Sequence, residues 1–177
     1  DQLKRWDGNP QTSGLHLSVN VSARQFRQQD FVQRVKSVIN SSGIDPSRLI
    51  LELTESLVLD NVVDSIEKMY SLKLLGVRFS MDDFGTGYSS LAYLKRLPLD
   101  QLKIDRSFVR DIDTDPGDAV IVRTIIDMAR NFGLEVIAEW VENDAQRAFL
   151  LSNGCTEFQG YLFSRPVPLP EFEALLN

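Results

Sequence analysis

Two adjacent carboxylates, Asp82 and Asp83, lie between the apolar alternation of VRFSM and a segment that contains two glycines. An acidic turn is one explanation, since aspartate and glycine are common turn residues. A metal site is the other, because like charges repel each other and divalent cations neutralise crowded carboxylates. A pair of such ions about 3.5–4 Å apart also activates water for attack on a phosphoryl group.

Polar residues recur in this way along the chain, each at the end of an apolar run that is typical of a β-strand. The set consists of Asn20, Glu52 with Glu55, Asp82 with Asp83, Lys103 with Asp105, Glu139 with Glu142, and Gln159. It is rich in oxygen donors and contains neither sulfur nor imidazole, which suits Mg²⁺ or Mn²⁺ better than zinc or copper. Each member alone is also compatible with a strand end, a helix cap or a solvated surface.

The elements that must position these residues follow from the hydrophobic pattern. Apolar runs predict six strands, at 15–21, 48–54, 77–81, 101–105, 134–140 and 155–159. Helical spacing between them predicts helices that end near Gly43, Gly76 and Gly133, and a short helix over YSSLAYLKRL. Tyr70 and Leu74 are predicted to face the core from the helix before Gly76. Alternating strands and helices predict a parallel sheet covered by helices.

The distribution of the polar residues favours one parallel architecture over another. An open sheet uses mainly the strands beside its switch point, whereas a TIM-like (β/α)8 barrel gathers all strand ends at one mouth. Since every strand contributes a polar group, we expect a barrel. Six βα units are present, and the chain starts at Asp1 without methionine. Residues 1–177 are therefore interpreted as one domain that lacks its N-terminal strands.

Composition argues against several other classes of function. A net charge of −6 without a Lys/Arg cluster argues against a protein that holds a long nucleic acid. A single cysteine, Cys155, excludes an internal disulfide and a Cys-rich zinc site, and a single histidine, His16, makes Ser-His-Asp catalysis hard to assemble. The chain contains no run of 18 apolar residues, so the sequence predicts no membrane-spanning helix.

The motifs around the polar residues resemble those of the EAL domains, which hydrolyse the bacterial second messenger cyclic di-GMP. The matching segments are NVSARQF (20–26), ELTES (52–56), DDFGTGYSSL (82–91), LKIDRSFV (102–109), AEWVE (138–142) and FQGYLFSRPVP (158–168). They run through nearly the whole chain in family order, so as a set they are far more specific than one short motif.

The resemblance implies a TIM-like barrel that opens cyclic di-GMP to linear pGpG with two Mg²⁺ or Mn²⁺ ions. It implies Glu139 as general base and Lys103 as the cation that steadies the attacking water or the developing phosphate charge. The implied metal ligands are Asn20, Glu52, Asp82, Asp83, Glu139 and Gln159. Glu55 would anchor the DDFGTGYSS loop, and Gly85 and Gly87 would allow that loop to move. Asp105 and Glu142 would also support the loop or the substrate.

It also implies a cytosolic location, a homodimer, and a parent chain with upstream sensory or GGDEF-type domains. Two departures from the family pattern matter. No Glu-Ala-Leu tripeptide, which would supply a further metal ligand, precedes Asn20, and the EAL at 173–175 lies in the terminal helix. Trp140 stands where the family usually has glycine. A catalytically silent cyclic di-GMP receptor or signalling module is therefore the alternative function. The enzyme assignment concerns the parent protein, and weak or no activity is expected of this isolated piece.

Overall fold

Strands and helices alternate along the chain in the computed structural model, which describes residues 1–87 and 91–176. The strands are β1 (Leu17–Asn20), β2 (Leu49–Thr54), β3 (Arg78–Phe84), β4 (Gln101–Ile104), β5 (Glu135–Ala138) and β6 (Glu157–Phe158). The helices are α1 (Gln2–Trp6), α2 (Ala23–Phe26), α3 (Phe31–Ser42), α4 (Glu55–Asp60), α5 (Val62–Lys73), α6 (Leu91–Leu94), α7 (Arg106–Val109), α8 (Pro116–Phe132), α9 (Asp144–Ser152) and α10 (Leu169–Ala174). Every strand is followed by a helix, which confirms the predicted α/β organisation of six strand–helix units.

The chain forms two compact units, Asp1–Leu102 and a second that begins at Lys103. Strand order follows sequence order, from β1 to β4 in the first unit and from β4 to β6 in the second. The pairs β1–β2, β2–β3 and β5–β6 are parallel. Within each unit, therefore, the carboxyl ends of paired strands lie at the same edge.

Each unit has its own apolar interior. In the first unit, side chains from β2, α4, α5 and β3 are fully buried: Leu53, Val58, Met69, Leu72 and Phe79. In the second unit, fully buried side chains include Ile104, Val109, Val122, Ala129, Ala138 and Leu150, from β4, α7, α8, β5 and α9. Burial of one large aliphatic side chain contributes about 1.5–3 kcal/mol, so these clusters fix the strands that carry the polar residues.

Glycine ends two helices as predicted. Gly43 after α3 and Gly133 after α8 have φ values of 62° and 71°, the left-handed conformation that closes a helix without a Cβ clash. The predicted stop at Gly76 lies slightly too late, because α5 ends at Lys73. The first three residues of the short helix predicted over YSSLAYLKRL lie outside the described residues, and α6 covers only Leu91–Leu94.

Three details of the prediction are wrong. Strand β3 runs to Phe84, so Asp82 and Asp83 belong to the strand rather than following it. The short helices α2, α4 and α7 were not expected, since four to six residues are too few for a helical period to show. Tyr70 and Leu74 are 52% and 88% exposed and do not face the core. In the described part of the chain, no helix is long and apolar enough to cross a membrane.

Candidate active site

Three of the predicted metal ligands share one face of the first unit's sheet. Asn20 on β1 lies opposite Glu52 on β2, and Glu52 lies opposite Ser80 on β3. Asp82 follows Ser80 by two residues, and side chains two apart on a strand point to the same face. The parallel register thus aligns an amide and two carboxylates at the carboxyl ends of adjacent strands, with Glu52 only 8% exposed.

Asp83 departs from this extended geometry. Its φ is 55°, a left-handed conformation that is uncommon for any residue with a side chain. Its carbonyl oxygen accepts a hydrogen bond from the Thr86 hydroxyl at 2.9 Å, so the backbone turns directly after it. The strained conformation costs about 1 kcal/mol or more, which the turn must offset.

Glu55 anchors the segment that follows β3. This carboxylate is 2% exposed, begins α4, and accepts the Gly85 backbone N–H at 3.1 Å. Gly85 has a φ of 97°, and a Cβ on Gly87 would lie 2.6 Å from the Glu55 Oε1 atom. Both glycines are therefore required for the close approach of this segment to Glu55.

A buried ion pair joins the two predicted catalytic residues in the second unit. The Lys103 Nζ atom lies 2.6 Å from Glu139 Oε1, and the two side chains are 6% and 12% exposed. Lys103 belongs to β4, and Glu139 follows β5. The Glu139 backbone N–H donates to the Ile104 carbonyl at 3.4 Å. Burial of either charge alone would be costly, and each charge compensates the other. The pair therefore holds an ammonium and a carboxylate in contact at the ends of adjacent strands.

Gln159 extends this row of strand ends. Its backbone N–H donates to the Ala138 carbonyl at 2.9 Å, and its own carbonyl accepts the Val141 N–H at 3.0 Å. Gly160 follows, and a Cβ there would lie 2.2 Å from the Val141 carbonyl oxygen. Only glycine fits this crossing of two backbones, which fixes Gln159 beside the segment that carries Glu139.

Asp105 and Glu142 support helices next to these residues. The Asp105 carboxylate accepts the Ser107 N–H at 2.9 Å and caps α7. The Glu142 N–H donates to Gln146 Oε1 at 2.7 Å, beside the capping box that begins α9. Such caps stabilise a helix by about 1 kcal/mol. Helix α7 starts directly after β4, and α9 follows the segment that carries Glu139 after β5.

Trp140 is the residue whose environment the sequence did not reveal. Its φ is 57°, and its ring lies 4.9 Å from the Arg106 guanidinium and 5.4 Å from the Tyr161 ring. It lines a cavity of about 620 Å³ together with Gln159, Tyr161 and Arg165. Nothing in the spacing of Arg106, Tyr161 or Arg165 had marked them as site residues, and the aromatic character of the GYLF segment was the one available signal.

Cys155, in contrast, has no nucleophilic character. It is 1% exposed, and burial raises the pKa of its thiol to about 11. The thiolate is the reactive form of cysteine, so this side chain is unreactive near neutral pH. The chemistry of the described site therefore comes from its carboxylates, amides and lysine.

The sequence-family model of the EAL domain matches residues 1–166 of this chain. The chain belongs to the EAL-domain family. It is 46% identical to the cyclic di-GMP phosphodiesterase NbdA of Pseudomonas aeruginosa over 92% of this chain and 21% of NbdA. It is 42% identical to the bifunctional diguanylate cyclase/cyclic di-GMP phosphodiesterase MucR of the same organism, over 98% of this chain and 25% of MucR.

Solved EAL-domain structures have the same fold. A complex of the P. aeruginosa MucR phosphodiesterase with c-di-GMP superposes with a TM-score of 0.91 at 42% identity, over 97% of this chain and 69% of that one. Klebsiella pneumoniae BlrP1, solved with manganese and with calcium in cyclic di-GMP complexes, gives 0.81 at 30% identity, over 92% of this chain and 42% of that one. The predicted fold class, six βα units of the family's TIM-like barrel, is thereby confirmed.

This EAL chain spans between 20% and 25% of the length of the first curated relatives it matches. The similarity therefore concerns one domain of larger signalling proteins.

Proposed function

We propose that this EAL domain hydrolyses cyclic di-GMP to linear pGpG with the help of two divalent cations. The observation that carries the proposal is the buried Lys103–Glu139 pair at the carboxyl ends of β4 and β5, in a chain that keeps the family motifs around it. Relatives at 42–46% identity are named as cyclic di-GMP phosphodiesterases, which supports the same substrate.

The oxygen donors at the strand ends fit Mg²⁺ or Mn²⁺. Amide and carboxylate oxygens are what such hard ions prefer, and the set contains no thiol or imidazole. The residues proposed to hold the ions are Asn20, Glu52, Asp82 and Asp83 from the first unit, and Glu139 and Gln159 from the second. The bound ions would polarise the phosphodiester and lower the pKa of a bound water.

The chain's own residues would then handle the proton and the charge. Glu139 would accept a proton from the attacking water, and Lys103 would hold Glu139 in position and face the negative charge that grows on the phosphate. Linear pGpG keeps a phosphate at its 5′ end, so the bond that breaks joins phosphorus to the 3′ oxygen of the other nucleotide. That oxygen leaves and takes up a proton.

The anchored segment after β3 would regulate this chemistry. Glu55 binds the Gly85 backbone, and Asp83 lies in the same turn, so movement of the segment would shift a proposed ligand. We further propose that the domain dimerises and acts in the cytosol as part of a longer chain with sensory or GGDEF-type domains. The bifunctional relative MucR supports the last point.

The test is product analysis. The full-length parent protein and the purified chain are each incubated with cyclic di-GMP and Mn²⁺ or Mg²⁺, and the products are separated by chromatography. We expect pGpG from the full-length parent protein and from its surface control Glu67→Gln, none from Glu139→Gln or after chelation of the metal, and weak or no pGpG from the isolated 177-residue chain. Binding of cyclic di-GMP by the parent protein without any product would contradict the proposal and favour the silent receptor.

A further inference from the structure

Trp140 has a backbone conformation that glycine adopts most easily, yet it carries the largest side chain. With a φ of 57°, the residue is strained, and a bulky side chain at such a position requires compensating contacts. The ring obtains them from the Arg106 guanidinium at 4.9 Å and the Tyr161 ring at 5.4 Å. These contacts hold the indole in place while 37% of the residue stays exposed.

The exposed part of the indole lines the cavity of about 620 Å³. This volume lies within the range of about 300–1,000 Å³ that is usual for small-molecule sites. Other walls are Tyr161, Pro166 and Phe172, and Gln159, a proposed metal ligand, also lines it. The cavity thus has mainly apolar and aromatic walls, and it shares Gln159 with the proposed site.

One cation is part of this cavity. The Arg165 guanidinium lies 5.1 Å from the centre of the Tyr161 ring, and both residues line the cavity. A guanidinium is a planar fork of hydrogen-bond donors and has no acceptor. It matches the O6 and N7 acceptors of guanine, whereas adenine presents an amino group in place of O6.

We propose that this cavity takes one guanine base of the cyclic dinucleotide, with Trp140 as the platform on which the base stacks. The proposal rests on the proposed function, and it adds Trp140 as a determinant of affinity and Arg165 as a determinant of base preference. Aromatic side chains offer a planar surface to any base, and Arg165 would select guanine over adenine. The strain at Trp140 is then the cost of placing an indole at the entrance of the base site.

Fluorescence and calorimetry test the platform directly. The full chain is titrated with cyclic di-GMP in Ca²⁺, the ion in one of the relative's complexes. Trp6 is 5% exposed, so its emission serves as a constant reference while Trp140 reports. We expect saturable quenching of the unmodified chain. Quenching should be absent in Trp140→Phe, which keeps a stacking ring and should bind within about threefold of the unmodified chain.

Trp140→Gly removes the platform and relieves the strain. We expect its affinity for cyclic di-GMP to fall about tenfold or more, while its thermal unfolding temperature stays the same or rises. The unmodified chain should also bind cyclic di-GMP more tightly than cyclic di-AMP, and Arg165→Leu should reduce that preference. Unchanged affinity of Trp140→Gly, or no quenching of the unmodified chain, overturns the platform.

A turnover assay on the same proteins and on the parent protein separates this proposal from the proposed function. Quenching of the unmodified chain and loss of affinity in Trp140→Gly, without pGpG from the parent protein, would retain the base site and refute the hydrolase. Formation of pGpG with the same KM in Trp140→Gly and the unmodified chain would retain the hydrolase and refute the base site.

Discussion

Lys103→Met removes one partner of the buried ion pair and leaves the other in place. The Glu139 carboxylate, 12% exposed, then loses the ammonium that lies 2.6 Å away. Loss of one partner from a buried pair costs about 3–5 kcal/mol. Both side chains keep further contacts, so we expect the lower end of this range. At about 2–4 °C per kcal/mol for a chain of this size, the unfolding temperature should fall by at least roughly 6 °C.

The assay is thermal unfolding followed by circular dichroism, with a double-mutant cycle. Adding Glu139→Gln to Lys103→Met removes the unpaired charge and should recover most of the lost stability. Lys95→Met, which deletes an exposed lysine, is the matched control and should change little. Mg²⁺ should stabilise Lys103→Met, which keeps the carboxylate, more than the double variant. A double variant as unstable as Lys103→Met would refute the reasoning.

Three further predictions concern single residues. Gly160→Ala should destabilise the chain by about 3 kcal/mol or more in a urea titration, because its Cβ would meet the Val141 carbonyl, whereas Gly14→Ala, with nothing within 4 Å, should be neutral. Cys155 should resist a thiol reagent at about pH 8 until the chain is unfolded. Because folding raises the pKa of this thiol from 9.0 to about 11, its stabilising contribution should persist below pH 9 and disappear as the pH rises to about 11, a loss that Cys155→Ala should not show. Asp83→Gly should abolish turnover yet keep or raise the unfolding temperature by relieving the positive φ, and a lower unfolding temperature would count against the strain.

The sequence predicted those parts of the fold that depend on local chemistry. Gly43 and Gly133 end α3 and α8 because a left-handed residue closes a helix most easily without a Cβ. The buried face of α5 was predicted wrongly for a tertiary reason. Lys68 is only 9% exposed, since its ammonium donates to the Phe26 carbonyl at 2.8 Å and pairs with Asp64. A buried lysine hides the hydrophobic period on which such a prediction depends.

The sequence predicted that the candidate site residues lie at strand ends, but it did not predict their contacts. Parallel strands predict that polar residues at their carboxyl ends share an edge, and the register of Asn20 with Glu52 agrees. No pattern in the chain predicts the short distance between Lys103 and Glu139, because it depends on how adjacent strands bring two side chains together. The cavity beside Trp140 likewise depends on backbone conformation, which composition does not record.

The positive φ of Asp83 has a consequence for how such a domain changes over generations. Either aspartate codon becomes a glycine codon through one A-to-G transition, and glycine relieves the backbone strain at this position. A proposed metal ligand is thus one nucleotide away from a replacement that removes backbone strain. At Lys103, loss of the ammonium would leave a buried carboxylate unpaired and destabilise the folded state. Selection for stability therefore also acts against substitution of this lysine. At Asp83 relief of the positive φ would offset part of what the contacts of the carboxylate contribute, so drift from the proposed hydrolase to a silent receptor would start there more easily than at Lys103.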